Sequence, residues 1–230
     1  MLYSRRSVLA GLGAIGTAAL TPPRHAFARI DDRPFFFFTD DEARFLALIC
    51  DTLIPEDEFP SASQAGVVDY IDLQMAGPYG RGARLYMQPP FAEGTASQGY
   101  QLPLVPAQLI RQGLADLADR DDGALRRDAA ARKAALTQLS AGDPAALQGH
   151  GSTFFDELWK LTNEGFFADP IHGGNADYAG WNMVGFPGAH AYYQSFVDKF
   201  NVPYPKPPMG INHKPGGDGA MPRPLRQREG

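Results

Sequence analysis

The sequence predicts a mainly α protein: a single helical domain with long irregular Gly/Pro/aromatic loops and an extended C-terminal tail. Three observations lead there. Apolar residues recur at helical spacing between residues 40 and 161, several times behind a capping signature. No stretch except one run of Phe reads as a strand. The 25 Gly and 20 Pro of the 230 residues gather between the periodic segments and at the end, where they mark loops. The expected division is 1–28 leader, 29–200 helical domain and 201–230 Pro/Gly-rich tail.

The leader carries Ser4-Arg5-Arg6-Ser7-Val8-Leu9, a Gly/Ala-rich apolar run to Leu20, and Ala26-Phe27-Ala28. A charged start, a short apolar stretch and a small-x-small cleavage site make an export signal. The pair Arg5 and Arg6 marks the twin-arginine type, with cleavage between Ala28 and Arg29. Val8 and Ala10 stand where Phe and Lys are more usual, and a Sec signal with a chance Arg pair is the alternative. The apolar run is short of the roughly 20 residues a membrane span needs, although retention as an uncleaved anchor stays open. Gly11-Leu12-Gly13-Ala14-Ile15-Gly16 fits the dinucleotide-binding pattern but has no strand before it, so it is read as part of the leader. Cleavage leaves about 200 residues, enough for one domain with a core. It also removes Arg5, Arg6 and Arg24 and no acid, taking the formal charge from −5 to about −8. An acidic domain does not favour nucleic acid.

Arg33-Pro34 leads into Phe35-Phe36-Phe37-Phe38. Four consecutive Phe near a new terminus need cover, either from this domain's own core or from a partner. Thr39-Asp40-Asp41-Glu42 is a capping box, and Phe45, Leu46, Leu48, Ile49 and Leu53 form a stripe that ends at Pro55. Cys50 lies on that apolar face. As the single cysteine it excludes a disulfide framework, a C-x-x-C-H haem attachment and an iron–sulfur cluster held by this chain alone. Glu56, Asp57 and Glu58 read as a solvated acidic turn. Ser61-x-x-Gln64 opens a second helix with Val67, Val68, Ile71 and Met75 inward and Asp69 and Asp72 outward.

Gly77-Pro78-Tyr79-Gly80 interrupts that helix. A short helical piece is expected over 81–87 and a long loop over 88–105. Pro106 suits a first helical position, followed by Leu109, Ile110, Leu114 and Leu117. Residues 124–139 read as one strong helix by propensity. Asp143-Pro144 begins a short element. Ser152-Thr153 starts a helix carrying Phe154, Phe155, Leu158, Trp159 and Leu161, with Gly165 as a left-handed cap. A last helix is expected over 189–200 with Tyr192, Tyr193, Phe196 and Phe200 on one side. Beyond Asn201 the chain reads as a polyproline-like tail, disordered alone or wrapped on a partner.

Chemistry, if present, belongs to residues 165–188, where Gly, Pro and aromatics alternate with Asp169, His172, Asn175 and Asp177. A His near two acids suits a base or part of a metal site, which gives one reading: a stand-alone acid/base or metal-dependent enzyme using Asp169, His172 and Asp177. The structural reading is that Asp169 caps a turn while Asn175 and Asp177 cap a short helix. The sequence contains no G-x-S-x-G, no Cys–His pair and no P-loop.

Glu164-Gly165-Phe166-Phe167-Ala168-Asp169-Pro170-Ile171-His172-Gly173-Gly174-Asn175, with Gly180-Trp181 and Gly185-Phe186-Pro187-Gly188, resembles the gluconate 2-dehydrogenase subunit 3 family. Thr52-Leu53-Ile54-Pro55, Ala65-Gly66-Val67 and Tyr70-Ile71-Asp72 are similar to its amino-terminal part. The likeness spans roughly 39–205. It implies a non-catalytic small (gamma) subunit of a periplasmic flavin-dependent dehydrogenase of gluconate or a related sugar. FAD would sit in a large partner of the glucose–methanol–choline type, and haem c in a multihaem cytochrome c subunit. The small chain would assist folding and twin-arginine export of the large one. The resemblance assigns no catalytic, cofactor-binding or metal-binding residue to this chain. Phe35, Phe36, Phe166, Phe167, Trp181 and Phe186 are the aromatic candidates for the partner interface.

Overall fold

Thr39 begins the first helix as the capping box predicts. Glu42 N donates to Thr39 Oγ1 at 3.2 Å, and Thr39 N donates back to Glu42 Oε2 at 2.8 Å. The helix α1 (Asp40–Leu53) turns Phe45, Leu46, Ile49 and Cys50 inward and stops before Pro55. This computed structural model describes residues 34–211, apart from 93, 96, 97, 99, 100, 143–145, 191 and 192. The leader with Arg5, Arg6, Ala26 and Ala28, and the end of the tail, lie outside the described residues. Among the described residues there are seven α-helices, and the one β feature is an isolated bridge. None of these helices is long and apolar enough to cross a membrane.

The acidic turn after α1 closes on itself, with Asp57 Oδ1 accepting from Phe59 N at 2.8 Å. The Ser61–Gln64 pair forms, since Ser61 N donates to Gln64 Oε1 at 2.9 Å. It closes the turn ahead of the helix, however. Gly66, at φ +80°, starts α2 (Val67–Ala76). Val67, Val68, Ile71 and Met75 are buried as the pattern requires.

Asp72 departs from expectation. The helical spacing puts it on the polar face, yet it is fully buried. Its carboxylate accepts Phe36 N at 2.8 Å, Phe37 N at 2.8 Å and Phe38 N at 3.1 Å. Successive N–H groups of a bend make a concave anion site, and here the anion is a side chain of the same domain. The Phe run is therefore neither a strand nor a free arm. Phe38 is buried, Phe35 and Phe37 pack against the core, and Phe36 is left 55% exposed. Arg111 closes the outside, its guanidinium 3.9 Å from the Phe37 ring centre.

Residues 77–84 run as turns, so the short helix expected over 81–87 does not form. Gly80 allows this: a Cβ there would collide with the Met75 carbonyl. Helix α3 (Pro106–Asp119) follows, with Pro at its first position. The helix expected over 124–139 splits into α4 (Ala124–Arg127) and α5 (Ala129–Ser140). Asp128 divides them because it adopts an extended conformation and caps α5, accepting Ala130 N at 2.8 Å.

The spine is α6 (Gly151–Phe167), which packs against α1, α2, α3 and α5. Phe154, Leu158, Leu161 and Phe166 are each fully enclosed. Gly165 is not a left-handed cap. It stays inside α6, where a Cβ would stand 3.0 Å from the Tyr70 ring, so its role is to bring α2 and α6 together. Beyond α7 (Ala179–Val184), the described part of the helix expected over 189–200 holds one 3-10 turn, Gln194–Phe196, while 191 and 192 lie outside the described residues. The tail folds back onto this domain as far as Ile211 and is not extended away from it.

Cys50 sits between α1 and α6, its Sγ 3.6 Å from Thr162 Oγ1. Burial pushes its thiol up from an ordinary value near 9 to about 12; the Thr162 bond opposes this and Asp51 adds to it. Two outcomes follow. The folded chain should resist iodoacetamide at pH 8 and react only once unfolded; rapid native alkylation would show that the core opens. The unfolded chain ionises this thiol near 9 and the folded one only near 12, so stability should fall as pH climbs through that window. For the clamp, Asp72→Ala should cost about 3 kcal/mol or more in urea unfolding, because three N–H groups lose a charged acceptor together. Asp72→Asn should lie between; a cost below about 1 kcal/mol for both would remove the clamp from the account.

Candidate functional site

A helix ends with carbonyls that lack intrahelical partners, and a buried end must find donors for them elsewhere. The loop after α6 supplies them. Trp181 Nε1 donates to Phe167 O at 2.7 Å, and Asn175 Nδ2 donates to Ala168 O at 2.8 Å. Asn175 Oδ1 in turn accepts Gly180 N at 2.8 Å. One fully buried amide thus joins the end of α6 to the start of α7. Gly174 and Gly180 permit the approach: a Cβ on either would fall on the carbonyl oxygen of Gly165 or Phe166. Ala176 N donates to Ala65 O at 2.8 Å and ties the loop to the turn before α2.

The path around Asn175 is tight. Asn175, Asp177 and Tyr178 hold φ of 49°, 54° and 58°. The left-handed region suits Asn and Asp but costs a Tyr about 1–2 kcal/mol. Such strain persists only where the surroundings fix it. Tyr178 is fixed by its ring, which stacks on Trp181 at 5.4 Å and 24°. Phe186 then meets Trp181 edge-on at 5.0 Å. The outcome is a rigid aromatic pedestal with an apolar cap of Met183, Val184 and Phe186, the last 46% exposed.

Of the titratable residues of the loop, Asp169 serves its architecture. Asp169 Oδ1 accepts Ile171 N at 3.1 Å and Oδ2 accepts Ile211 N at 2.8 Å. His172 and Asp177 are exposed, and no side-chain hydrogen bond joins His172 to either acid. Among the described residues no group of three or more His, Cys, Asp or Glu is arranged to hold a metal. Asp169 caps its turn as the sequence suggests. Asn175 caps Gly180, whereas Asp177 offers its backbone oxygen to Asn182 Nδ2 at 3.2 Å. Away from the loop, the Tyr70 hydroxyl donates to Glu164 at 3.2 Å, and burial first, then Glu164, raises its pKa.

The six aromatic candidates divide by exposure. Phe166 is fully buried in the core and Trp181 nearly so. Phe35 and Phe167 are partly covered against the core. Phe36 and Phe186 face solvent. Two further contributors were not legible from the residues: Tyr178, whose conformation only the backbone reveals, and residues 209–211, expected as tail disordered alone or wrapped on a partner.

The family model for gluconate 2-dehydrogenase subunit 3 matches residues 40–188, well over half of the chain. The chain belongs to the gluconate 2-dehydrogenase subunit 3 family. No curated protein and no solved structure matches it. In this subunit 3 chain the matched region runs from the first residue of α1 to the end of the capping loop. The Phe arm and the folded-back tail lie on either side of it. The family's description is that of a subunit, so its members belong to a multi-subunit gluconate dehydrogenase.

The capping geometry makes a paired prediction. Gly180→Ala drives a methyl into the Phe166 carbonyl and should cost about 1–3 kcal/mol with a shift in Trp fluorescence. Gly185→Ala meets no atom within 4 Å and should cost only about 1 kcal/mol for its left-handed φ. Equal midpoints in thermal unfolding would contradict this close approach.

Proposed function

We propose that this chain is the non-catalytic small (gamma) subunit of a periplasmic flavin-dependent dehydrogenase acting on gluconate or a related sugar. It assists folding, stability and export of the large subunit. The large subunit, of the glucose–methanol–choline type, holds FAD, and a multihaem cytochrome c subunit takes the electrons. The twin-arginine signal over 1–28 serves both chains, because that route carries folded cargo and the large subunit bears no signal in this scheme. The complex sits at the periplasmic face of the inner membrane.

The observation that carries the reading is the family match across the whole capping loop, whose solvent side is an aromatic-based apolar surface. Interfaces draw their energy from a few buried aromatic anchors on rigid supports. Phe186 on its Trp181 pedestal and Phe36 on the Asp72 clamp have that form. Within the loop, the side chains of Asp169 and Asn175 are committed to backbone partners.

Co-expression with the flavoprotein tests this. Arg5→Lys with Arg6→Lys should leave the flavoprotein dehydrogenase in the cytoplasm; undiminished export would refute the escort role. Phe186→Asp and Phe36→Asp should each weaken co-purification by about 30-fold or more, as expected for anchors worth about 2 kcal/mol. Unchanged assembly in both would move the interface elsewhere. Sugar-dependent dye reduction by the purified chain alone would overturn the non-catalytic assignment.

A further inference from the structure

The tail beyond Asn201 returns across the capping loop. Ala189 N donates to Met209 O at 2.6 Å and Met209 N to Pro187 O at 3.1 Å, forming a short parallel bridge. The next two amides reach side chains of the loop itself. Gly210 N donates to the Tyr178 hydroxyl at 3.0 Å, and Ile211 N donates to Asp169 Oδ2 at 2.8 Å. Gly210 is buried, and a Cβ on it would stand 3.0 Å from Asp169 and 3.3 Å from the Tyr178 hydroxyl. Upstream, Tyr204 packs among His190, Tyr193 and Phe196 at 4.9–5.1 Å between ring centres, which gives this return an apolar foothold.

Both side chains that receive this segment sit at the ends of the tight part of the loop. Asp169 opens it, and Tyr178 closes it in a left-handed conformation unfavourable for an aromatic residue. The same Tyr178 ring stacks on Trp181, which supports Phe186. The segment lies outside the residues matched by the family model, while both receiving side chains lie inside. We infer that residues 209–211 are a strap that locks the capping loop in its strained shape, with Asp169 and Tyr178 as its two latches. The strap thereby holds the Met183–Phe186 surface ready for the flavoprotein. The last step rests on the accessory-subunit reading; the lock itself does not.

Tyr178→Phe removes one latch and keeps the ring stack. Gly210→Val pries the strap away by bulk. In the full chain, amide hydrogen exchange over 175–186 should rise about tenfold or more in both variants, while α1, α2 and the first turns of α6 keep their protection. Unchanged exchange in the loop of both variants would overturn the lock. A rise of equal size throughout the chain would also overturn it, by showing general destabilisation. Binding to the flavoprotein should weaken about tenfold in step with the loosening. Full affinity with a loosened loop would refute the ready-surface step. Failure of the unmodified chain to bind would instead defeat the accessory-subunit reading, with the exchange data still deciding the lock.

Discussion

The whole candidate site depends on how the carboxyl end of α6 is satisfied. The helix is the spine of the domain, and its last carbonyls need donors from outside the helix. One Trp indole and one buried Asn amide meet them, and two glycines let the backbone come close enough. Those requirements fix the loop's path, and the path fixes where its aromatics go. Trp181 spends its polar edge inward and its faces on Tyr178 and Phe186. The apolar surface above it is thus a consequence of helix capping.

The Asp72 clamp solves a related problem at the other end of the chain. A run of four Phe has strong reasons to bury its rings and no intrinsic reason to choose one arrangement. Three backbone bonds to one buried carboxylate choose it. Three rings then turn toward the core and Phe36 remains outside. The clamp and the cap use the same economy: a single polar side chain, fully enclosed, sets the register of an otherwise apolar segment. In a family whose members work as subunits, such fixed outward aromatics are more useful than mobile ones, since less ordering remains to be done on binding.

Much of the helical frame was legible in the residues. Thr39–Glu42, Pro106 and the inward faces of α1, α2, α3 and α6 follow from local capping and spacing. In two of the misreadings a tertiary contact overrode a local preference. Asp72 looks exposed by periodicity because its partners are 34 to 36 residues away. Gly165 looks like a cap because Gly after a helix commonly is, yet it answers to the Tyr70 ring. Residues 81–84 run as turns although their composition suits a helix, beside a Gly80 packed on the Met75 carbonyl. Asp128 is the exception, a local N-cap hidden within an Ala-rich run. Within the loop, the turn roles of Asp169 and Asn175 could be read from residue type. The left-handed Tyr178 and the returning tail could not, because neither leaves a pattern in the sequence.

The central proposal is that this subunit acts through the apolar surface above its capping loop and has no turnover of its own. A hydrogen-exchange footprint of the chain, free and bound to the flavoprotein dehydrogenase, tests it most directly. The account predicts new protection concentrated on Met183–Phe186 and around Phe36, with the spine already protected in both states. Protection confined to other faces, or no complex at all, would contradict it.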